Sequence, residues 1–193
     1  MRVASIAEQI CDSMNVKVDK DNIILACLFH DMGNIIKYDF IHFPEQYEKE
    51  GLDYWKKIQS EFISKYGQNE HVATLAIDKE IGLSLEIIEL INDMDSKLMG
   101  KIYNSNNLNL EICKYSDLRA APHSVVSINE RMDEAKKRYK GHRNEFNQQE
   151  RELFKENIMK IENQIFSHSN IKPEDINDES VKKYLEKLQN LSI

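Results

Sequence analysis

The chain has 193 residues, of which 41% are hydrophobic and 31% charged, and its formal net charge is −7. This length suits one well-buried domain with a modest appendix. Six glycines and three prolines leave room for long helices and argue against a turn-rich β protein. An acidic chain also lacks the clustered basic surface of an extended nucleic-acid groove, although a metal-held nucleotide or phosphate ester is not excluded.

The sequence also indicates where the protein works. No apolar run approaches the roughly 20 residues that span a bilayer, and Glu8 and Asp12 interrupt any signal-peptide-like segment. The cysteines at 11, 27 and 113 form no CxxC pair and are odd in number. Cys27 and Cys113 sit in apolar helical patterns, as small buried hydrophobes of a reducing compartment do. We therefore expect a cytoplasmic protein that makes no membrane contact.

Apolar residues at helical spacing predict the elements in chain order. The predicted helices cover about residues 3–14, 22–31, 44–66, 69–82, 84–91, 108–118, 127–141, 145–167 and 179–190. Pro44 is a favourable first helical residue, and Asn69, Ser84 and Ser127 are N-cap candidates. Gly100 and the polar run 104–107 are predicted to form a loop.

No segment alternates with the period of a half-buried strand. The sequence therefore predicts an all-α protein with a single globular core. We divide it into a metal-binding helical domain, residues 1–140, and C-terminal helices, residues 141–193, that pack on or beside it. The apolar stripe on these last helices is buried either within one chain or against a second copy, which leaves a homo-oligomer open.

The stretch from Ile23 to Lys37 carries the clearest chemical signal. Seven apolar residues lead directly into His30 and Asp31. Titratable groups are costly to bury unless something compensates them, and metal coordination does so. We predict that His30 and Asp31 are metal ligands at a helix end, with Lys37 two turns further on if the helix persists. The plainer alternative is a helix-terminal pair that makes caps and hydrogen bonds.

Asp117 is a second carboxylate that calls for a partner. It lies in an otherwise apolar helix, on the side of Cys113. A salt bridge with Arg119 or Arg131 is the plain alternative, although residues two apart do not face each other on a helix. Lys37, Arg119 and Arg131 are the candidate phosphate partners, because an ammonium is a point charge and a guanidinium a planar fork.

These features resemble the HD-domain superfamily of metal-dependent phosphohydrolases. The resemblance is carried by the apolar helix that runs into His30-Asp31-Met-Gly and by segments 115–122 and 127–131. They are similar to the second and third parts of the family signature, His…His-Asp…Asp. The resemblance covers about residues 1–140 and implies an all-α fold.

The resemblance also implies a ligand set. His30, Asp31 and Asp117 match the metal ligands. His71 is similar to the first additional histidine of two-metal members, while the position of a further histidine reads Asn92-Asp93. The plain alternative places His71 in a first helical turn or against substrate. Such ligands suit Mn, Mg, Zn, Fe or Ni, and do not choose among them.

The chain departs from the family pattern at two positions. Arg2-Val-Ala matches a segment that follows the first signature histidine by three residues, so this histidine would fall just upstream of Met1. Truncation or an internal start is one explanation, favoured because the helix begins without a cap; a degenerate family member is the other. The second departure is Asn34, where many members have a lysine that Lys37 replaces here.

The sequence thus predicts a phosphohydrolase, either phosphomonoesterase or phosphodiesterase, acting on a nucleotide or another small phosphate ester. A metal-activated water attacks phosphorus, Asp31 binds metal and orients or deprotonates the water, and Lys37 and Arg119 stabilise phosphoryl charge. The alternative is a catalytically silent module that binds a metal or nucleotide and works through a protein partner. A purely structural helical domain leaves the acidic residues and His30 unexplained.

Overall fold

The structure, a computed structural model, describes residues 1–42, 49–142 and 145–190. Within these ranges it contains ten α-helices and no strand, which confirms the all-α prediction. The helices are α1 (Arg2–Ser13), α2 (Lys20–Phe29), α3 (Leu52–Tyr66), α4 (Glu70–Glu80), α5 (Leu85–Asp93), α6 (Met99–Ser105), α7 (Leu108–Arg119), α8 (Ile128–Arg138), α9 (Gln148–Phe166) and α10 (Asp178–Gln189). The described residues include no helix long and apolar enough to cross a membrane.

Helices α1, α2 and α7 form the centre of the molecule, and each packs against the other two. Their apolar residues are fully buried, among them Ile6, Ile23 and Ile112. The three cysteines are unpaired and buried there, one on each of these helices. The end of α2 meets the last turn of α7, where Asp117 lies next to His30.

The two C-terminal helices contribute to the same hydrophobic core. Helix α9 packs against α6, α7 and α8, and its residues Ile158, Ile161 and Ile165 are fully buried. Helix α10 packs against α1 and buries Val181 and Leu188. The division of the chain at residue 140 stays a prediction, since this shared core neither requires nor forbids it.

Capping residues set the helix boundaries as predicted. The side chain of Asn69 accepts from the backbone N–H of Val72, and that of Ser84 accepts from Ile87. Ser127 and Glu130 form a reciprocal capping box at the start of α8. Pro44, predicted as a first helical residue, lies outside the described residues, and α3 begins at Leu52.

Two other predictions about the elements are wrong. Helix α6 occupies the expected loop around Gly100 and Asn104, because Met99 and Ile102 bury themselves where α6 packs on α9. Helix α2 ends at Phe29 rather than near residue 31, and a separate 3₁₀ turn, Asn34–Lys37, follows. Lys37 is therefore not two α-helical turns beyond His30.

Candidate metal centre

The backbone orients the ring of His30, which is the C-cap of α2. Its Nδ1 lies 3.0 Å from the carbonyl oxygen of Cys27. A carbonyl only accepts, so Nδ1 carries hydrogen and Nε2 of the neutral ring keeps its lone pair for a ligand. The side chain is 11% exposed, and Nε2 makes no well-formed hydrogen bond with the residues that the structure describes.

Two carboxylates flank this nitrogen. Asp31 Oδ2 and Asp117 Oδ1 each lie 3.4 Å from His30 Nε2. This is also about the separation of two ligands that each lie ~2.1 Å from a tetrahedral ion. The Asp117 side chain is 27% exposed and that of Asp31 56%, so the site opens to solvent on the side of Asp31. The structure thus brings together three residues from two helix ends.

Electrostatics favour a cation at this point. Burial lowers the pKa of His30, but Asp117 and Asp31 outweigh it and raise the pKa to about 9. Burial alone would raise the pKa of Asp117, yet Lys114 and His30 hold it well below its usual range. The proton on His30 supplies positive charge that both carboxylates require, and a divalent ion meets the same requirement.

The described residues include no set of three or more His, Cys, Asp or Glu side chains already arranged around a metal position. The donor types nevertheless fit a divalent ion, which would take the place of the proton on His30 Nε2. Asp31 follows the end of α2, and more than half of its side chain is exposed, so it has the most freedom to adjust. We therefore treat these three residues as a site that closes around its ion.

Lys114 is the functional residue that sequence reasoning missed. Its ammonium is almost fully buried and donates to Asp117 Oδ2 at 2.8 Å and to Ser96 Oγ at 2.9 Å. One oxygen of Asp117 thus faces Lys114 while the other faces His30. The signal was present in the sequence, because Lys114 precedes Asp117 by three residues, and residues at this spacing are neighbours on a helix.

Helix α4 approaches the turn after Asp31 very closely. The N–H of Gly33 donates to Thr74 Oγ1 at 2.9 Å, and a Cβ on Gly33 would lie only 2.3 Å from the carbonyl oxygen of Glu70. Only glycine fits this approach. The half-exposed ammonium of Lys37 lies 3.6 Å from Glu70 Oε1, and His71 follows Glu70 in the first turn of α4. Lys37 and His71 are thus at the same end of α4.

The contacts of Arg119 argue against the phosphate-binding role predicted for it. Its guanidinium is buried and donates to Tyr115 Oη at 2.5 Å, Pro173 O at 3.1 Å and Ile176 O at 2.8 Å, and also to Val126 O. These acceptors occupy the guanidinium N–H groups that would otherwise bind a phosphate. Arg119 therefore ties α7 to the segment before α10, which is a structural role.

Arg131 is likewise engaged elsewhere. It pairs with Glu134 on the same helix, α8, and Arg138 pairs with that carboxylate too. Lys37 has more room: it borders a cleft of about 780 Å³. This cleft is also lined by Tyr38, Phe40, His42, Lys56, Gln59 and His142.

Comparison with protein families gives one finding. The family model described as HD domain matches residues 1–191, which includes both C-terminal helices. The curated proteins give no significant match, and neither do the solved structures.

Proposed function

Because this chain belongs to the HD-domain family, a superfamily of metal-dependent phosphohydrolases, we propose that it hydrolyses a nucleotide or another small phosphate ester. The proposed metal ligands are His30, Asp31 and Asp117. The observation that carries the proposal is His30 Nε2, buried, oriented through the opposite ring nitrogen and 3.4 Å from a carboxylate oxygen on either side.

A divalent ion, when bound, supplies a Lewis acid and lowers the pKa of a water. The protein residues prepare the site for it. The Cys27 carbonyl fixes the His30 ring, and Lys114 holds Asp117 in place. The side chain of Asp31 is more exposed than those of His30 and Asp117. Asp31 therefore meets incoming water, orients it and accepts its proton.

The substrate approaches from the side of Lys37. The ammonium of Lys37 is exposed enough to reach a phosphoryl oxygen, and it lies next to the cleft, which has room for a small ester. Positive charge placed there stabilises the extra negative charge of the transition state. His71, at the same end of α4, is our candidate ligand for a second ion.

A specific observation favours the second candidate function, a silent module that binds metal or nucleotide. The buried ammonium of Lys114 already neutralises part of the charge on Asp117. It therefore competes with an ion for this carboxylate, and Asn34 replaces the lysine found in many family members. The C-terminal helices would then serve as the docking surface for a protein partner.

The experiment is metal analysis after reconstitution with Mn, Ni, Zn and Mg, followed by a phosphatase and phosphodiesterase screen. We expect His30→Ala and Asp117→Ala to lose both the metal and the activity. His168→Ala, at an exposed position on the turn after α9, is the matched control and keeps both.

Each result has a separate meaning. A wild-type protein that binds none of the four ions refutes the metal centre. Unchanged activity in both ligand variants refutes the assignment of residues. Bound metal without turnover on either class of ester supports the silent module.

A further inference from the structure

Asp78 is a buried carboxylate to which the mechanism above gives no role. It lies on α4, is fully buried, and neither oxygen has a hydrogen-bond partner among the described residues. A carboxylate enclosed without a donor is costly, and native proteins keep few of them. Burial raises the pKa of Asp78 to about 6, and His30, which lies within electrostatic range, opposes this rise.

Helix geometry places Asp78 on the side of α4 that faces the candidate site. Thr74 holds the N–H of Gly33, three residues after His30. Asp78 is one helical turn beyond Thr74, so the two share a face. Both are among the buried residues of α4. The carboxylate is therefore enclosed behind the contact that fixes the turn after His30 and Asp31.

The charge of a bound ion shows when this carboxylate becomes useful. Neither oxygen of Asp78 meets a donor among the described residues. A divalent ion held by His30, Asp31 and Asp117 would bring two positive charges to the region in front of this carboxylate. In a poorly solvated region an ionised Asp78 attracts that charge strongly, so it favours binding of the ion.

We propose that Asp78 is a positioning residue of the metal centre, whose enclosed carboxylate supplies the negative charge that a divalent ion at His30 requires. This inference rests on the metal-dependent function proposed above. It predicts that Asp78 acts on ion affinity although it is not one of the three ligands.

Glu111 offers a matched control. It is equally buried, lies on α7, and both of its oxygens also lack a hydrogen-bond partner among the described residues. Burial raises its pKa to about 7. The pKa of Glu111 is raised by burial alone, whereas that of Asp78 also responds to His30. Replacing either residue by its amide removes one buried ionisable group with little change in shape.

The test is calorimetric titration of the purified full chain with Mn²⁺ and, separately, with Zn²⁺. We expect Asp78→Asn to weaken binding by between about 10- and 100-fold, the range found when residues behind metal ligands are replaced. Glu111→Gln is expected to bind as the wild type does. Circular dichroism melts without metal check folding, and Asp78→Ser repeats the measurement with a smaller neutral side chain.

Two results overturn the inference while the metal centre stands. One is wild-type affinity in both Asp78 variants. The other is an equal loss in Asp78→Asn and Glu111→Gln, which would indicate a general effect of core substitution. A wild-type protein that binds neither ion removes the inference together with the proposed function, so the two failures are distinguishable.

Discussion

Lys114 and His30 divide the two carboxylate oxygens of Asp117 between them. The side chain of Lys114 is 4% exposed, and its ammonium binds one carboxylate oxygen while the other oxygen faces His30. A metal-free site therefore keeps Asp117 charged and in place. The same contact limits how much negative charge Asp117 offers to an incoming ion.

Lys114→Met tests this arrangement. Removing one partner of a buried pair leaves the other charge uncompensated, so we expect the metal-free protein to lose about 3 kcal/mol of unfolding free energy. Saturating Mn²⁺ recovers part of this loss, because the ion replaces the missing cation. Urea unfolding with and without Mn²⁺ measures both effects. Lys160→Met, in an exposed pair with Glu156, is the control and changes little.

Glu111 gives the protein a pH dependence of stability. Burial raises its pKa from 4.5 to about 7, so across that interval the native state holds a proton that the unfolded state has released. Its contribution to stability therefore falls as the pH rises through this interval, and the loss is complete above it.

Glu111→Gln, which stays neutral, isolates this effect. Near pH 4 we expect the variant and the wild type to unfold with similar free energies. At about pH 8 the variant is more stable, by on the order of 3 kcal/mol. Urea unfolding across this range provides the measurement, with the exposed Glu89→Gln as control. A difference between variant and wild type that does not change with pH would contradict the prediction.

At the level of elements, Arg119 connects α7 to the chain before α10. Two of its acceptors, Pro173 and Ile176, belong to that segment. Glu8 on α1 adds a second tie, because its buried carboxylate pairs with Lys187 on α10 and with Lys20 on α2. These contacts hold the last helix to the side of the molecule formed by α1.

Arg119→Lys should loosen this attachment. A lysine cannot reach several carbonyls at once, so we expect faster hydrogen exchange over residues 173–189 and a loss of about 2–3 kcal/mol of stability. Metal affinity should not change. Exchange mass spectrometry measures the first effect, with Arg151→Lys on α9 as control. Unaltered exchange combined with a raised KM for a phosphate ester would restore the phosphate-binding role.

Local signals were enough to predict most elements. The caps Asn69, Ser84 and Ser127 are set by residues within one helical turn, so the sequence reveals them directly. Helix α6 was missed because its formation depends on burial against α9, which lies some fifty residues further along the chain. Propensity at Gly100 and Asn104 argued for a loop, and tertiary packing overruled it.

The candidate site was only partly predictable, because some of its residues depend on packing between helices. His30, Asp31 and Asp117 were found through an apolar context and a family resemblance. The environments of Asp78 and Arg119 depend on which helices surround them, and no spacing along the chain encodes that. The three proposed ligands lie near one another in the structure, whereas the three backbone carbonyls that Arg119 contacts are not visible in the sequence.

At the scale of the whole molecule, the start of α1 lies close to the candidate site. The amino group of Met1 is partly buried and within electrostatic range of Cys27, whose carbonyl orients His30. We therefore expect residues added ahead of Met1 to lie near the candidate site.

An engineered extension exploits this placement. A chain lengthened so that a histidine stands two residues before Met1 is expected to bind Mn²⁺ more tightly, because an imidazole joins the ligand set. The same extension with alanine at that position is the control. Calorimetric titration compares the two proteins, and equal affinities would show that the added residue does not reach the ion.

The three thiols in the central helices have a further consequence. Burial raises the pKa of Cys11 to about 12, and Cys27 is shifted in the same direction, first by contact with Cys113 and then by burial. A protonated and enclosed thiol reacts with alkylating reagents only after the surrounding helices separate. The rate of thiol alkylation therefore measures how often α1, α2 and α7 separate. An ion that links His30, at the end of α2, to Asp117 on α7 would lower this rate, and the native cysteines report the change without an added label.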